Sequence, residues 1–345
     1  MSKQLKLGFM IGYWGAGPPT GVPELLALAE DLGYESAWTA EAYGSDALTP
    51  LAWWGSATER IHLGTSIAQI SARTPTAMAM AAITMDHLTN GRFILGLGAS
   101  GPQVVEGWYG EEYAKPLART REYVEIIRKI LKRDEPLVYS GDHYKLPVEG
   151  GTGYGKAVRS ITHPLREDLP IYLASEGPKN VALTAEIADG WLSIYFSPKA
   201  DDFYRAALNE GFSRPGARRS IDDFEIAATV PVIIHDNVEE AASFLRPVLA
   251  LYIGGMGARD MNFHANVFGR MGYEAEAKKI QELYLEGKKD EAAAMVPLSL
   301  IEETALIGPK EKIRDDLEMW RESCVTQILL YGDENTLRTM AELCL

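Results

Sequence analysis

The sequence predicts a single (β/α)8 barrel, on three observations. Eight strand-like runs alternate with helical runs, and each crossover is too long for a hairpin, which favours parallel pairing in a closed sheet. No Gly-x-Gly-x-x-Gly follows the first strand, where a doubly wound sheet normally carries its phosphate loop; that strand ends in Gly12-Tyr13-Trp14-Gly15.

Leu5–Ile11 has the apolar density of a buried strand, and Val22–Asp31 then shows helical spacing until Gly33 stops it. The unit repeats as strand Ser36–Thr39, helix Pro50–Thr58, strand Ile61–Ile67, helix Thr76–Leu88 and strand Phe93–Leu97. Met78, Ala82, Met85 and Leu88 form one stripe expected to pack as core, and Asn90-Gly91 supplies the turn into the fourth strand. Helix Lys115–Lys132 follows, with Val124, Ile127 and Leu131 on one face. A Gly-, Pro- and Tyr-rich stretch, 135–164, reads as an insertion over the barrel. Alternation resumes with strand Pro170–Ala174, helix Lys179–Ala188, strand Trp191–Tyr195, helix Asp201–Gly211 and a long strand, Glu225–Ile234. A second, largely helical insertion spans 254–297. Helix Pro309–Ser323, with Ile313, Leu317 and Trp320 on one stripe, leads into the eighth strand, Val325–Tyr331. Residues 1–345 thus read as one elaborated barrel domain.

Hydrophobic residues make up 46% and charged residues 24%, enough apolar material for a core of this size. A net charge of −14 repels phosphate backbones and anionic membranes over about a Debye length, roughly 8 Å, so nucleic acid and membrane surfaces are poor partners. Two cysteines, Cys324 and Cys344, build neither a disulfide framework nor a zinc site and suit a reducing cytoplasm. No run approaches the ~18 apolar residues of a membrane span. The six histidines lack a paired metal-ligand spacing, so no metal is expected.

A barrel gathers its chemistry at the C-terminal ends of the strands. Those ends nominate Tyr13, Glu41, Ser66, Ser100, Ser175, Tyr195 and Gly332. Tyr13 and Glu41 are the candidate catalytic groups. Ser175-Glu176-Gly177-Pro178-Lys179-Asn180 ends the fifth strand and opens a helix, so backbone N–H groups at a positive helix terminus could cradle a phosphate. Gly96-Leu97-Gly98-Ala99-Ser100-Gly101 lets a flat ligand approach the fourth strand closely. Tyr13, Trp14, Trp108, Tyr109 and His264 are candidate substrate-lining residues, suggesting an apolar or planar compound.

Leu63-Gly64-Thr65-Ser66-Ile67, followed by Asp86-His87-Leu88-Thr89-Asn90-Gly91-Arg92-Phe93-Ile94-Leu95-Gly96-Leu97-Gly98, resembles the luciferase-like monooxygenase family, most closely its coenzyme F420-dependent oxidoreductase branch. Ser36–Glu41, Ser175–Lys179 with Ala188–Trp191, and Ala305–Pro309 extend the likeness over nearly the whole chain. The resemblance implies hydride transfer between deazaflavin C5 and a small organic substrate, with a cis Ser66–Ile67 peptide behind the ring. It implies ring contacts from Thr65, Ser66, Ile67, Gly98, Ala99 and Ser100, and a phosphate held by Ser175, Glu176, Gly177, Pro178 and Lys179, with Lys199 nearby. It also implies a homodimer. The coenzyme's acidic tail needs a local basic patch, for which Lys156 and Arg159 of the first insertion are candidates.

One departure matters: where the family's sugar-phosphate dehydrogenases follow the acidic residue of the second strand with a catalytic histidine, Glu41 is followed by Ala42. Sugar-phosphate oxidation and light emission are therefore not expected. An FMN-dependent monooxygenase and a non-redox barrel holding a phosphate ligand are the alternatives.

Overall fold

The computed structural model describes residues 3–257 and 262–345. Eight parallel strands form its centre: β1 Lys6–Gly12, β2 Ser36–Thr39, β3 His62–Thr65, β4 Phe93–Gly98, β5 Ile171–Ala174, β6 Gly190–Ile194, β7 Glu225–Thr229 and β8 Gln327–Leu330. Neighbours run in the order β3-β2-β1-β8-β7-β6-β5-β4, and β3 pairs with β4 through Leu63↔Phe93 and Gly64↔Ile94, closing the barrel. The outer helices are α1 Val22–Asp31, α2 Leu48–Gly55, α3 Pro75–Leu88, α4 Pro116–Lys132, α5 Pro178–Ile187, α6 Asp201–Phe212, α7 Lys310–Glu322 and α8 Glu334–Cys344. The fold is the predicted (β/α)8 barrel, with the eighth helix as an addition.

The interior is filled by Met10, Trp38, Ile94, Tyr172, Leu192, Ala227 and Leu329, side chains from seven of the strands. Trp38 is wholly buried, and Gly64 makes room for it: a Cβ there would lie 2.3 Å from the Trp38 ring. Gly96 is tighter still, its Cβ position lying 1.7 Å from the Thr65 carbonyl oxygen, which is backbone and cannot yield. Gly96→Ala is accordingly expected to lower stability by about 1–3 kcal/mol, read as a fall in the urea midpoint at unchanged slope.

The Asp86–Gly98 motif owes much of its distinctiveness to anchoring rather than chemistry. Asp86 is buried and takes the Arg166 guanidinium on both oxygens. Arg92 bonds to Thr58 and Ile61 through one nitrogen and to Thr89 through another. Both sit before β4, at the end of the barrel remote from the strand C-termini.

Two expectations change. The first insertion does not cover the barrel; it runs along the outer face of α4. Its short hairpin, Tyr139–Ser140 with Lys145–Leu146, is held by Glu122 of α4, which accepts the N–H groups of Asp142, His143 and Tyr144 at 2.9–3.0 Å. Lys156 and Arg159 are exposed, and their neighbours Val158 and Ser160 are tied by their carbonyls to Leu137 N and Arg133 Nε, just past the C-terminal end of α4. Helices of this fold run back from the mouth, so the expected tail-reading pair stands at the opposite end.

The second change concerns β7. The expected long strand breaks at Pro231, which has no N–H for a ladder. Val232–Ile234 then pairs instead with Leu306–Gly308. Between them lies an insertion larger than 254–297, with helices Val238–Gly254, Phe263–Phe268, Glu274–Leu285, Lys289–Ala294 and Leu298–Thr304 around a core that includes Ile253, Phe268, Ile280 and Ile301. Because it follows a strand, it is this insertion that stands at the mouth.

Candidate active site at the barrel mouth

At the end of β3 the Ser66–Ile67 peptide is cis. Ser66 N donates to Thr39 O at 2.6 Å and Glu41 N to Ile67 O at 3.1 Å, after which Ala68–Gln69 pairs with Leu97–Gly98. Ile67 lies over Gly98, where a Cβ would come within 2.8 Å of its Cδ1. Ala99 and Ser100 continue this wall half-buried, Ser100 with φ +57°. Ser66, Ile67, Gly98, Ala99 and Ser100 are therefore gathered on one side of the mouth. Thr65 is different: it is fully buried, its hydroxyl donating to Gly96 O at 2.7 Å and accepting from Gly96 N at 3.0 Å, so it joins β3 to β4.

Glu41 is 6% exposed, and its oxygens accept from Ala47 N, Gln69 N and Arg73 Nη1 at 2.7–3.1 Å. Burial works against the Arg73 cation, but the hydrogen bond and charge of Glu41 outweigh it and hold Arg73 above its ordinary value. A carboxylate so committed ties the loops after β2 and β3 together and is poorly placed to take a substrate proton. Trp14 also turns to structure, donating its backbone N–H to Ser45 Oγ and packing its ring on Trp54 at 5.9 Å. Tyr109 bonds through its hydroxyl to Ala42 O, and Trp108 stays exposed beside Tyr43.

The loop after β5 divides its roles. Ser175 is buried, accepting from Thr184 Oγ1 and, through its carbonyl, from Trp191 Nε1. Gly177 caps α5 in extended conformation (φ −80°, ψ 148°), no side chain caps the first-turn N–H groups, and Pro178 occupies a position that needs none. The space where a Gly177 Cβ would lie is open, and Lys179 is exposed beside it. This is a cradle able to receive an anion. Lys199 is engaged elsewhere: Glu303 Oε1 lies 2.8 Å from its Nζ and, by that hydrogen bond, raises its pKa.

The insertion closes the remaining side. His264 Nδ1 lies 2.7 Å from Glu176 Oε1, out of line for a hydrogen bond, and Glu176 Oε2 is buried without a partner. Tyr252 and Tyr195 form T-shaped ring pairs with His264, centroids 5.0 and 6.0 Å apart. Burial first, and then the neighbouring Tyr13 phenol, push Tyr252 above the ordinary tyrosine range; burial does the same to Tyr195. Arg270 donates to Glu176 O at 3.0 Å and lies over the Phe203 ring. Tyr13 and His264 thus share one cluster, whereas Trp108 and Tyr109 line the opposite, β4 side. Tyr252, Arg270 and Arg73 were not nominated from sequence. A tyrosine or arginine within a polar helix or loop carries no signal until its partners are known.

Among the described residues no group of three or more His, Cys, Asp or Glu side chains could hold a metal ion, and no helix is long and apolar enough to cross a membrane. Both cysteines are buried and free.

The family model for luciferase-like monooxygenases matches residues 10–327. The chain is 54% identical over 346 residues, covering 99% of itself and 100% of the relative, to Rv3520c of Mycobacterium tuberculosis, whose name proposes a coenzyme F420-dependent oxidoreductase. It is 28% identical to 5,10-methylenetetrahydromethanopterin reductase of Methanopyrus kandleri, over 90% of this chain and 88% of that one. The solved coenzyme F420-dependent tetrahydromethanopterin reductase of the same organism superposes with a TM-score of 0.80 at 24% identity, covering 99% and 97% of the two chains.

Proposed function

The chain belongs to the luciferase-like monooxygenase family, and from that membership we propose that it is a coenzyme F420-dependent oxidoreductase exchanging a hydride between the deazaflavin ring and a small organic substrate. The observation that carries this reading is the pairing, in one mouth, of the Ser66–Ile67 wall with the uncapped, open Gly177 cradle. The residues present fit the coenzyme. Ser66, Ile67, Gly98, Ala99 and Ser100 offer a flat wall with little side-chain bulk, and Gly177 and Lys179 offer backbone N–H groups and a cation for a phosphate. Beyond Lys179, Arg270 rather than Lys156 or Arg159 is a basic side chain that reaches that loop, donating to Glu176 O. When bound, a deazaflavin supplies two-electron hydride chemistry, because carbon replaces the flavin N5 and disfavours oxygen adducts.

An oxygen electrode tests the chemistry directly. With FMN kept reduced by a flavin reductase, the protein is expected to leave the rate of oxygen uptake unchanged. Stimulated uptake would move it to the monooxygenases.

We also place a dimer contact on α2 and α3, where Trp53, Met80 and Leu88 are 78%, 64% and 70% exposed. Large apolar side chains on adjoining helices mark an association surface. Sedimentation at micromolar concentration should give twice 38.0 kDa for the wild type and 38.0 kDa for Trp53→Glu with Met80→Glu. A wild-type monomer would contradict the dimer.

A further inference from the structure

Resting on the deazaflavin reading, we propose that Gln69 holds the coenzyme ring by its edge, its side-chain Oε1 accepting a hydrogen bond from the N3–H of the pyrimidinedione. The mouth thereby selects a planar heterocycle that carries an imide N–H.

Gln69 is placed by its register. It pairs with Gly98, and Ala68 before it pairs with Leu97. Side chains alternate across a strand, and partners in register share a face. Ala68, Ile70 and Leu97 belong to the core between the strands and the outer helices, whereas a Gly98 Cβ would meet Ile67 and Ala174, which pack on the barrel interior. Gln69 therefore points inward, into the mouth. Its amide reaches across: Nε2 donates to the Glu41 carbonyl at 3.3 Å, past the end of β2. Because β3 lies between β2 and β4, the side chain spans the end of β3, at Ser66 and Ile67.

The surrounding bonds fix which end of the amide is free. Glu41 Oε1 accepts from Gln69 N at 2.8 Å, and Arg73 and Ala47 N hold the Glu41 carboxylate in turn. A carbonyl only accepts, so turning the amide over would set its oxygen against Glu41 O. Oε1 is left facing away, in a side chain 2% exposed, and has no partner. A buried acceptor without a donor forfeits a hydrogen bond, which a ligand bringing that donor restores. Other buried side-chain atoms without partners lie elsewhere: Arg128 Nε by the Asp189 cluster, His143 and Ser160 in the first insertion, Trp14 after β1, and Glu176 and His264 across the mouth. Among the described residues, Gln69 Oε1 is the one set in the wall formed by Ser66, Ile67 and Gly98.

The ligand chemistry follows from what Oε1 can take. An amide oxygen needs an N–H or O–H donor. In the pyrimidinedione both carbonyls are acceptors, and the N3–H between them is a donor in the oxidised and the reduced ring alike. The same bond therefore serves both states of the coenzyme and requires no proton movement.

The test reads binding alone, on full-length protein, with the deazaflavin coenzyme and its N3-methyl derivative. Wild type is expected to bind the N3-methyl ring about tenfold to a hundredfold more weakly than the parent. Gln69→Leu, and Gln69→Met as a second variant of similar volume, should bind the parent about tenfold more weakly and tell the two rings apart by less than about threefold, the coupling a shared bond requires. Coenzyme labelled with nitrogen-15 at N3 gives an independent reading: its N3–H proton should resonate downfield of the free ring in wild type and return towards the free position in either variant. The two wild-type measurements decide even where a variant fails to fold. Equal binding of the two rings by wild type, the same discrimination in wild type and both variants, or an N3–H resonance at its free position in wild type overturns the proposal and leaves the deazaflavin reading intact. Coenzyme that fails to bind overturns that reading, and the role of Gln69 with it.

Discussion

Asp189→Asn is expected to cost about 3–5 kcal/mol of stability, the range found when one partner of a buried ion pair is removed. Asp189, between α5 and β6, is 5% exposed and takes the Nε groups of Arg218 and Arg219 at 2.6 and 2.9 Å, the Arg128 guanidinium, and the Ile171 N–H at 2.8 Å. Arg128 is itself largely buried, bonding to Leu169 O at 2.6 Å. Asparagine keeps the shape but leaves these cations in low dielectric, with Asp168 compensating only Arg218 and Arg219 from the surface. Urea unfolding measures the effect. A loss below about 1 kcal/mol would mean that water reaches the cluster and that it is peripheral to the fold.

Gly177→Asp is expected to separate binding from folding. Gly177 is the N-cap of α5, in the extended conformation any residue adopts, with open space at the Cβ position. Aspartate there is a good N-cap and should leave stability unchanged or raise it by roughly a few tenths of a kcal/mol. Its carboxylate would occupy the place of the coenzyme phosphate, and opposed like charges cost several kcal/mol. Deazaflavin affinity should therefore fall by ~10²–10³-fold while the thermal midpoint holds or rises. A coenzyme Kd within threefold of wild type would place the phosphate elsewhere.

The barrel was legible because period-2 and period-3.6 patterns survive wherever one face of an element is buried. Phe93–Gly98 and Pro75–Leu88 are almost as expected, differing by one residue. The insertions were less legible for physical reasons. Pro231 ends β7 within an apolar run that reads as one strand, and helix Val238–Gly254 carries Pro247 in its interior. The hairpin at 139–146 is only two residues per strand and depends on Glu122 of α4.

In the site, sequence located the strand ends but not what each side chain would be used for. Thr65, Ser175 and Lys199 read as ligand groups, yet Gly96, Thr184 and Glu303 occupy them, partners 31, 9 and 104 residues away in the chain. Glu176 was expected among the phosphate contacts, and its side chain instead meets His264 across the mouth. Local pattern does not encode such pairings.

Equilibrium titration of the wild-type protein with deazaflavin coenzyme and with FMN, followed by the visible absorbance of each ligand, bears on the central assignment most directly. Saturable binding of one deazaflavin per chain, tighter than FMN, is expected. Tighter binding of FMN, or no saturable binding of deazaflavin, would contradict it.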